Sequence, residues 1–211
     1  MGPSTLVITS KHWLSNRFDR IILPDWYSVD GYNDYTKNFD TELLRQNLCM
    51  YDVGGGKRPY LSRETKAKHS ARVIGLDIDA SELSRAPEGA YDATIAADIS
   101  AYRGVGEADL VICQALLEHV RDIEKAFTGL ASILKPGGLL LIFVPSRNAV
   151  FARINLMLPE SWKRAVLFTI FPQTRVGHGF PSYYARCTPS DFIQLAVRNR
   201  LKVEEVRHYF S

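Results

Sequence analysis

The chain has 211 residues, 46% of them apolar and 23% charged, with a formal net charge of +3. That length holds one domain of ordinary size, and those fractions exclude a mainly disordered chain. The longest unbroken aliphatic and aromatic run, 139–144, falls far short of the ~20 residues that cross a bilayer. Residues 1–10 lack a basic start followed by a long apolar stretch, so no secretory leader is expected, and Pro3 and Leu6 argue against myristoylation of Gly2. Cys49, Cys113 and Cys187 are odd in number, widely spaced and without a CxxC pair. They predict reduced thiols, a cytoplasmic setting and no zinc site. A charge of +3 is too small, by itself, to imply nucleic acid.

In chain order, the first forty residues are rich in aromatic and polar groups (Trp13, Phe18, Trp26, Tyr27, Tyr32, Tyr35, Phe39) without a sustained period. They predict a leader, residues 1–48, that packs onto a domain formed by 49–211. From Cys49 short apolar runs of strand length recur at 49–53, 72–76, 93–96, 110–113 and 139–144. None alternates cleanly with polar residues, which suits strands buried on both faces of a parallel sheet. Between the last two, Ile123, Phe127, Leu130 and Leu134 fall on one face of a helix over 122–134, which Lys135-Pro136-Gly137-Gly138 then ends. A second helix is predicted from Thr188 to about Arg200, with Thr188 as N-cap, Pro189 at the first helical position and Asp191 completing a capping box. Residues 202–210, with Val203, Val206 and Tyr209, read as a further strand. Strands alternating with helical or polar connections predict an α/β, doubly wound, mostly parallel Rossmann-like sheet.

Three places at strand ends carry candidate chemistry. Tyr51-Asp52-Val53-Gly54-Gly55-Gly56 closes the first strand with glycines that permit a sharp turn and a close ligand approach, or serve a tight turn only. The dinucleotide pattern GxGxxG fits poorly, because its third glycine falls on Pro59. Asp77 ends the second strand, with Asp79 behind it, where an acid can accept both hydroxyls of a ribose. Asp98 and Ile99 follow the third, where a carboxylate can take an exocyclic amine while an aliphatic side chain packs on a base. Singly, each acid reads first as a helix cap or surface group. Taken together, after consecutive strands, they point to one ligand at the carboxyl edge of the sheet.

These motifs resemble those of class I S-adenosylmethionine-dependent methyltransferases of the type 11 kind. The matching pieces are Asp52-Val53-Gly54-Gly55-Gly56, Gly75-Leu76-Asp77-Ile78-Asp79, Ala97-Asp98-Ile99, the run from Ala108 through Gln114 to Glu118-His119-Val120, and Leu134-Lys135-Pro136-Gly137-Gly138 with the apolar residues after it. The resemblance implies a sheet of the seven-stranded type and S-adenosyl-L-methionine as cofactor. It implies that Gly54, Gly55 and Gly56 line the methionine part, that Asp52 holds its amino end, and that Asp77 binds the ribose. Ile78 would lie against the adenine, Asp98 and Ile99 would complete the adenine site, and Gln114 would stand near the methionyl end. Arg58 occupies the family's third glycine position, which predicts a modified turn. The helices after Asp79 and Asp98 are expected to shrink to a turn or two. The family's last strand has no counterpart, as though the chain were truncated.

Methyl transfer from a sulfonium needs orientation more than any one catalytic group, and a base helps when the nucleophile is a hydroxyl. His119 and His178 are the candidate bases; otherwise Glu118-His119 caps the following helix and His178 sits on a surface loop. His12, His69 and His208 show no ligand spacing, so no metal is expected. Residues 146–175, within an insertion spanning 146–187, hold five bases and one acid among many apolar residues, leaving the rest of the chain almost neutral. They predict a helical lid over the acceptor site, alone or with contact to an anionic membrane surface through Trp162, Lys163 and Arg164. The reading is a methyltransferase acting on a small-molecule or lipid-like acceptor at oxygen, in the cytoplasm or peripheral to a membrane's inner face. A nicotinamide-dependent oxidoreductase and a non-catalytic cofactor-binding or scaffold protein remain as alternatives.

Overall fold

The computed structural model describes residues 44–148 and 181–209, together with Tyr35 and Met157. Residues 44–148 and 181–204 belong to one compact unit; Tyr35, Met157 and 205–209 belong to a second, in which Arg207 pairs with Glu205 at 2.6 Å. The predicted leader 1–48 lies outside the described residues apart from Tyr35 and 44–48. The predicted insertion lies outside them from 149 to 180 apart from Met157, and with it His178, Trp162, Lys163 and Arg164.

Among the described residues, five parallel strands make the sheet: β1 (Cys49–Val53), β2 (Arg72–Asp77), β3 (Ala93–Ala96), β4 (Ala108–Gln114) and β5 (Leu134–Phe143), in the order β3-β2-β1-β4-β5. The order reverses between β1 and β4, so the carboxyl ends of those two strands flank the place where such sheets hold ligands. The expected α/β doubly wound architecture is thereby found. β1, β2 and β4 are buried on both faces, with Met50, Val53, Val73, Leu76, Val111 and Ile112 almost fully enclosed. β3 departs from that expectation: Ala93, Thr94 and Ala96 are exposed, because β3 is the last strand on its side of the sheet.

Helix α3 (Ile123–Ile133) follows the short helices α1 (Arg63–Lys68) and α2 (Ala80–Ser84). Asp122 caps it by accepting from Lys125 N, and it buries Ile123, Ala126, Phe127, Leu130 and Ile133 against the sheet. Cutting Phe127 back to alanine would cost about 3–5 kcal/mol. α3 ends just before Lys135-Pro136-Gly137-Gly138, but that sequence is an irregularity inside β5 rather than a free loop. Ala108 pairs with Leu134, the register then shifts, and Leu110 pairs with Leu139. The connection after Asp98 contains a turn and no helix. Helix α4 (Pro189–Arg198) starts as expected, with the Thr188 hydroxyl accepting from Asp191 N. It packs on α3 through Phe192 and Phe127, whose rings lie 5.3 Å apart.

The strand expected over 202–210 is not found: residues 201–209 take no regular structure. Val203, Val206 and Tyr209 repeat every third residue, whereas one face of a strand needs every second, so no apolar face exists to bury. Val203 and Val206 are accordingly exposed.

Candidate functional site

Four strand ends and one loop build the site. β1 delivers Asp52, which is buried at 3% exposure. Its Oδ2 accepts from the main-chain N–H of Tyr60 at 2.7 Å and from the Tyr91 hydroxyl at 3.2 Å. Burial pushes the Asp52 carboxyl up to about 6, against the pull of those two hydrogen bonds and with the negative charge of Asp77 adding to the rise. Its carboxylate lies directly under the glycine loop: a Cβ at Gly55 would stand 2.5 Å from Oδ2.

Gly54 and Gly56 have φ of +83° and +50°, a region that favours glycine. The loop is fixed at both ends, by Gly54 N donating to Leu76 O at 2.7 Å and Arg58 N to Gly55 O at 2.9 Å. The modified turn expected from Arg58 is found here: the chain turns at 55–58 and α1 begins only at Arg63. A cleft of about 300 Å³ opens above it, lined by Gly54 through Arg58, Asp77 and Glu82. Its floor is main chain, since a Cβ at Gly54 would meet Leu116 at 2.9 Å and one at Gly56 would meet Asp77 Oδ2 at 3.2 Å.

Asp77 is half-buried at the end of β2, with Oδ1 accepting from Asp79 N at 2.9 Å. Burial, with Asp79 and Glu82 nearby, raises its carboxyl above the usual range. Ile78, next to it in the chain, is 59% exposed, a large apolar side chain left uncovered at the end of β2. Asp79 caps α2, and Glu82 pairs with Lys57 at 3.1 Å and with Arg85.

β3 is tied to the same edge, because Ala97 N donates to Asp77 O at 2.8 Å. Asp98 is exposed, and its Oδ1 holds the following turn by accepting from the N–H and hydroxyl of Ser100, both at 2.8 Å. Ile99 does not keep the expected place. Its side chain is buried at 4% exposure in the core cluster that contains Phe127 and Leu130, because the segment after β3 passes beneath α3. The Ile99 side chain is therefore not available to pack on a ring in the cleft.

Gln114 ends β4 half-buried, and Ala115 then turns the chain with φ of +48°. A short 3₁₀ turn, Leu117–His119, follows. The Glu118 main-chain oxygen accepts from Tyr183 N at 2.7 Å and Tyr184 N at 3.0 Å, and the His119 Nδ1 lies 3.1 Å from Pro181 O and 3.3 Å from Ser182 Oγ. A carbonyl can only accept, so Nδ1 carries a proton toward Pro181 O, which leaves Nε2 as the ring nitrogen that can act as a base. Nε2 lies 3.7 Å from Oε1 of Glu118, whose carboxyl is buried at 4% exposure and raised by that burial. Arg121 stands 4.8 Å from the Tyr183 ring centre.

The cleft thus brings together the glycine loop, Asp77 and Glu82, with Asp52 buried beneath the loop and Ile78 exposed next to Asp77 in the chain. Sequence reasoning passed over Tyr91, Lys57 and Glu82. The one signal for Tyr91 was Gly75, a glycine inside a buried strand, which leaves a gap that something must fill.

Residues 51–142 match the family model described as a methyltransferase domain. The chain is 27% identical over 172 residues to a ubiquinone biosynthesis O-methyltransferase from Cupriavidus pinatubonensis, covering 78% of this chain and 64% of that protein. It is 32% identical over 141 residues to the protein of that name from Erwinia tasmaniensis, covering 64% of this chain and 52% of the relative. The chain thus spans less than two thirds of the length of these curated relatives. Among solved structures, phosphoethanolamine N-methyltransferase 2 from Haemonchus contortus, in complex with phosphomonomethylethanolamine and S-adenosylhomocysteine, superposes with a TM-score of 0.55 at 19% identity. That match covers 86% of this chain and 40% of the other and shows a shared fold.

Proposed function

We infer that this chain, whose residues 51–142 match the methyltransferase-domain family model, is a class I S-adenosylmethionine-dependent methyltransferase that moves a methyl group from that cofactor to a small-molecule acceptor at oxygen. The observation that carries this reading is the side-chain-free floor of the cleft, Gly54 to Gly56, set beside the half-buried carboxylate of Asp77. A glycine floor admits a chain-like ligand against the main chain, and an acid at the end of β2 can accept both hydroxyls of a ribose. S-adenosylmethionine, when bound, supplies a methyl group on a positively charged sulfur, an electrophile with a good leaving group.

The residues of the chain then have separable tasks. Gly54 and Gly56 line the methionine part. Asp77 fixes the ribose, Ile78 covers one face of the adenine, and Asp98 stands at its polar edge. Asp52 acts beneath the loop, where its carboxylate holds Tyr60 N and the Tyr91 hydroxyl. Gln114 borders the methionyl end. His119, with its proton on Nδ1 and Nε2 basic, removes the proton of an acceptor hydroxyl, and the 181–184 segment fixed against it forms one wall of the acceptor side.

The printed name of the O-methyltransferase relatives supports oxygen as the methylated atom. The apolar, cationic composition of 146–175 supports an acceptor of lipid-like character met at a membrane surface. No helix among the described residues is long and apolar enough to cross a membrane. The test is transfer of labelled methyl from the cofactor into fractionated cell extract with the lipid fraction kept separate. Label in a lipid or small-molecule fraction supports the reading, and label only in protein or nucleic acid contradicts it.

A further inference from the structure

Tyr91 lies on the connection into β3, yet its side chain works at β1. The ring covers Gly75 in the middle of β2, where a Cβ would come within 2.9 Å of its carbons. Every other residue type at position 75 would lift the ring off the strand. Across that gap the Tyr91 hydroxyl reaches Oδ2 of Asp52 at 3.2 Å and the main-chain oxygen of Gly56 at 3.1 Å. One hydroxyl thus touches the buried acid of β1 and the last glycine of the cofactor loop.

We propose that Tyr91 is the positioning residue for the glycine loop, bridging Asp52 to the Gly56 carbonyl through the gap that Gly75 leaves in β2. The inference rests on the reading of this cleft as the cofactor site and adds a residue that the family's motifs do not contain. Without the bridge, the loop is held by Gly54 N at one end and by the Arg58 turn at the other, and the carbonyl of the buried Gly56 between them loses the hydroxyl it accepts from.

The hydroxyl has one proton and two acceptors. While Asp52 is ionised, a donation to its carboxylate competes with one to Gly56 O. Once Asp52 is protonated, it donates to the Tyr91 oxygen, and Tyr91 donates to Gly56 O, so both contacts are satisfied together. The groups facing the Asp52 carboxyl are Tyr91, the main-chain N–H of Tyr60, Asp77 across the loop, and the Cys113 thiol from β4. Of these, only Tyr60 N and the Tyr91 hydroxyl lie within hydrogen-bond reach of its Oδ2. Removing the tyrosine donor therefore moves the Asp52 titration upward, a change that loss of packing alone does not produce.

The test compares wild type with Tyr91→Phe, which keeps the ring over Gly75, and with Gly75→Ala, which displaces it. S-adenosylhomocysteine binding is read by calorimetry, and Asp52 titration by carbon NMR of its carboxyl. Tyr91→Phe is expected to retain its circular dichroism, bind about tenfold more weakly, and titrate Asp52 at higher pH than wild type. Gly75→Ala is expected to weaken binding at least as much, and it carries the same comparison if the first variant fails to fold. A folded Tyr91→Phe with wild-type affinity and an unchanged Asp52 titration overturns the proposal while leaving the cofactor reading intact. Failure of the wild type itself to bind S-adenosylhomocysteine overturns both.

Discussion

The two sides of the switch point are built differently. On the β1–β2–β3 side the parts of the site lie within some fifty residues of sequence. Strand ends deliver Asp52 and Asp77, the glycine loop joins them, and short hydrogen bonds between near neighbours hold the turns. On the β4 side the site is made by two segments more than sixty residues apart, the turn at 117–121 and the returning chain at 181–184, joined through the Glu118 carbonyl, the His119 ring and Arg121 over Tyr183. The first side is a local device, and the proposed function assigns it the cofactor. The second is assembled by long-range contact, and the proposed function assigns it the acceptor.

The sharpest way to break this comparison is to damage each side separately. His119→Asn places an amide donor where Nδ1 was, so the contact to Pro181 O can survive while the basic Nε2 is lost. A fall in kcat of about 10²–10⁴-fold with unchanged S-adenosylhomocysteine affinity is expected. An unchanged kcat would reduce His119 to a clamp for 181–184. Asp77→Ala should do the reverse, weakening S-adenosylhomocysteine about a hundredfold or more through loss of charged hydrogen bonds, in a protein that still melts cooperatively. Normal binding by that folded variant would remove the ribose assignment.

Asp52 gives a prediction in pH. Its folded-state value of about 6 lies above the 3.8 of an unperturbed aspartate, so the folded state binds its proton more tightly than the unfolded state does. The stability this contributes is present below pH 4 and is lost as pH rises to about 6. The loss is on the order of 2–3 kcal/mol for a shift of about two pH units. Asp52→Asn should remove this share of the pH dependence and narrow the difference in melting temperature between pH 4.5 and pH 7. An identical pH profile in the variant would contradict the burial argument. The smallest effect is expected on the acceptor side. Arg121→Ala loses the contact with the Tyr183 ring and should cost about 0.5–1 kcal/mol, read as faster amide exchange at Tyr183 and Tyr184 with cofactor binding untouched.

The same contrast governs what could be read in the sequence. β1 was legible to the residue because a buried parallel strand is a short apolar run, and β3 was legible by its run at 93–96 although its residues are mostly exposed; α3 was legible from the spacing of Ile123, Phe127 and Leu130 on one face, and α4 from the cap at Thr188. Asp52, the glycines and Asp77 were legible because their geometry is local. Ile99 was misplaced because whether a strand-end side chain faces the cleft or the core depends on how α3 crosses above it, which no local pattern encodes. Tyr91 went unread for the same reason: its ring acts across two strands, through a gap visible only as a glycine at 75. Residues 202–210 are apolar enough for a strand, but Val203, Val206 and Tyr209 follow a period of three where a strand face needs two. The pairing of Glu118 with Tyr183 and Tyr184 runs through main chain alone, and main-chain partners leave no trace in residue type.

The central claim is that the glycine-floored cleft beside Asp77 holds S-adenosylmethionine rather than a nicotinamide dinucleotide. Calorimetric titration of the wild-type protein with S-adenosylhomocysteine and, separately, with NAD(H) tests it most directly. Saturable binding of S-adenosylhomocysteine in the micromolar range with no heat from NAD(H) is the predicted result. Binding of NAD(H), or no binding of S-adenosylhomocysteine, would contradict it.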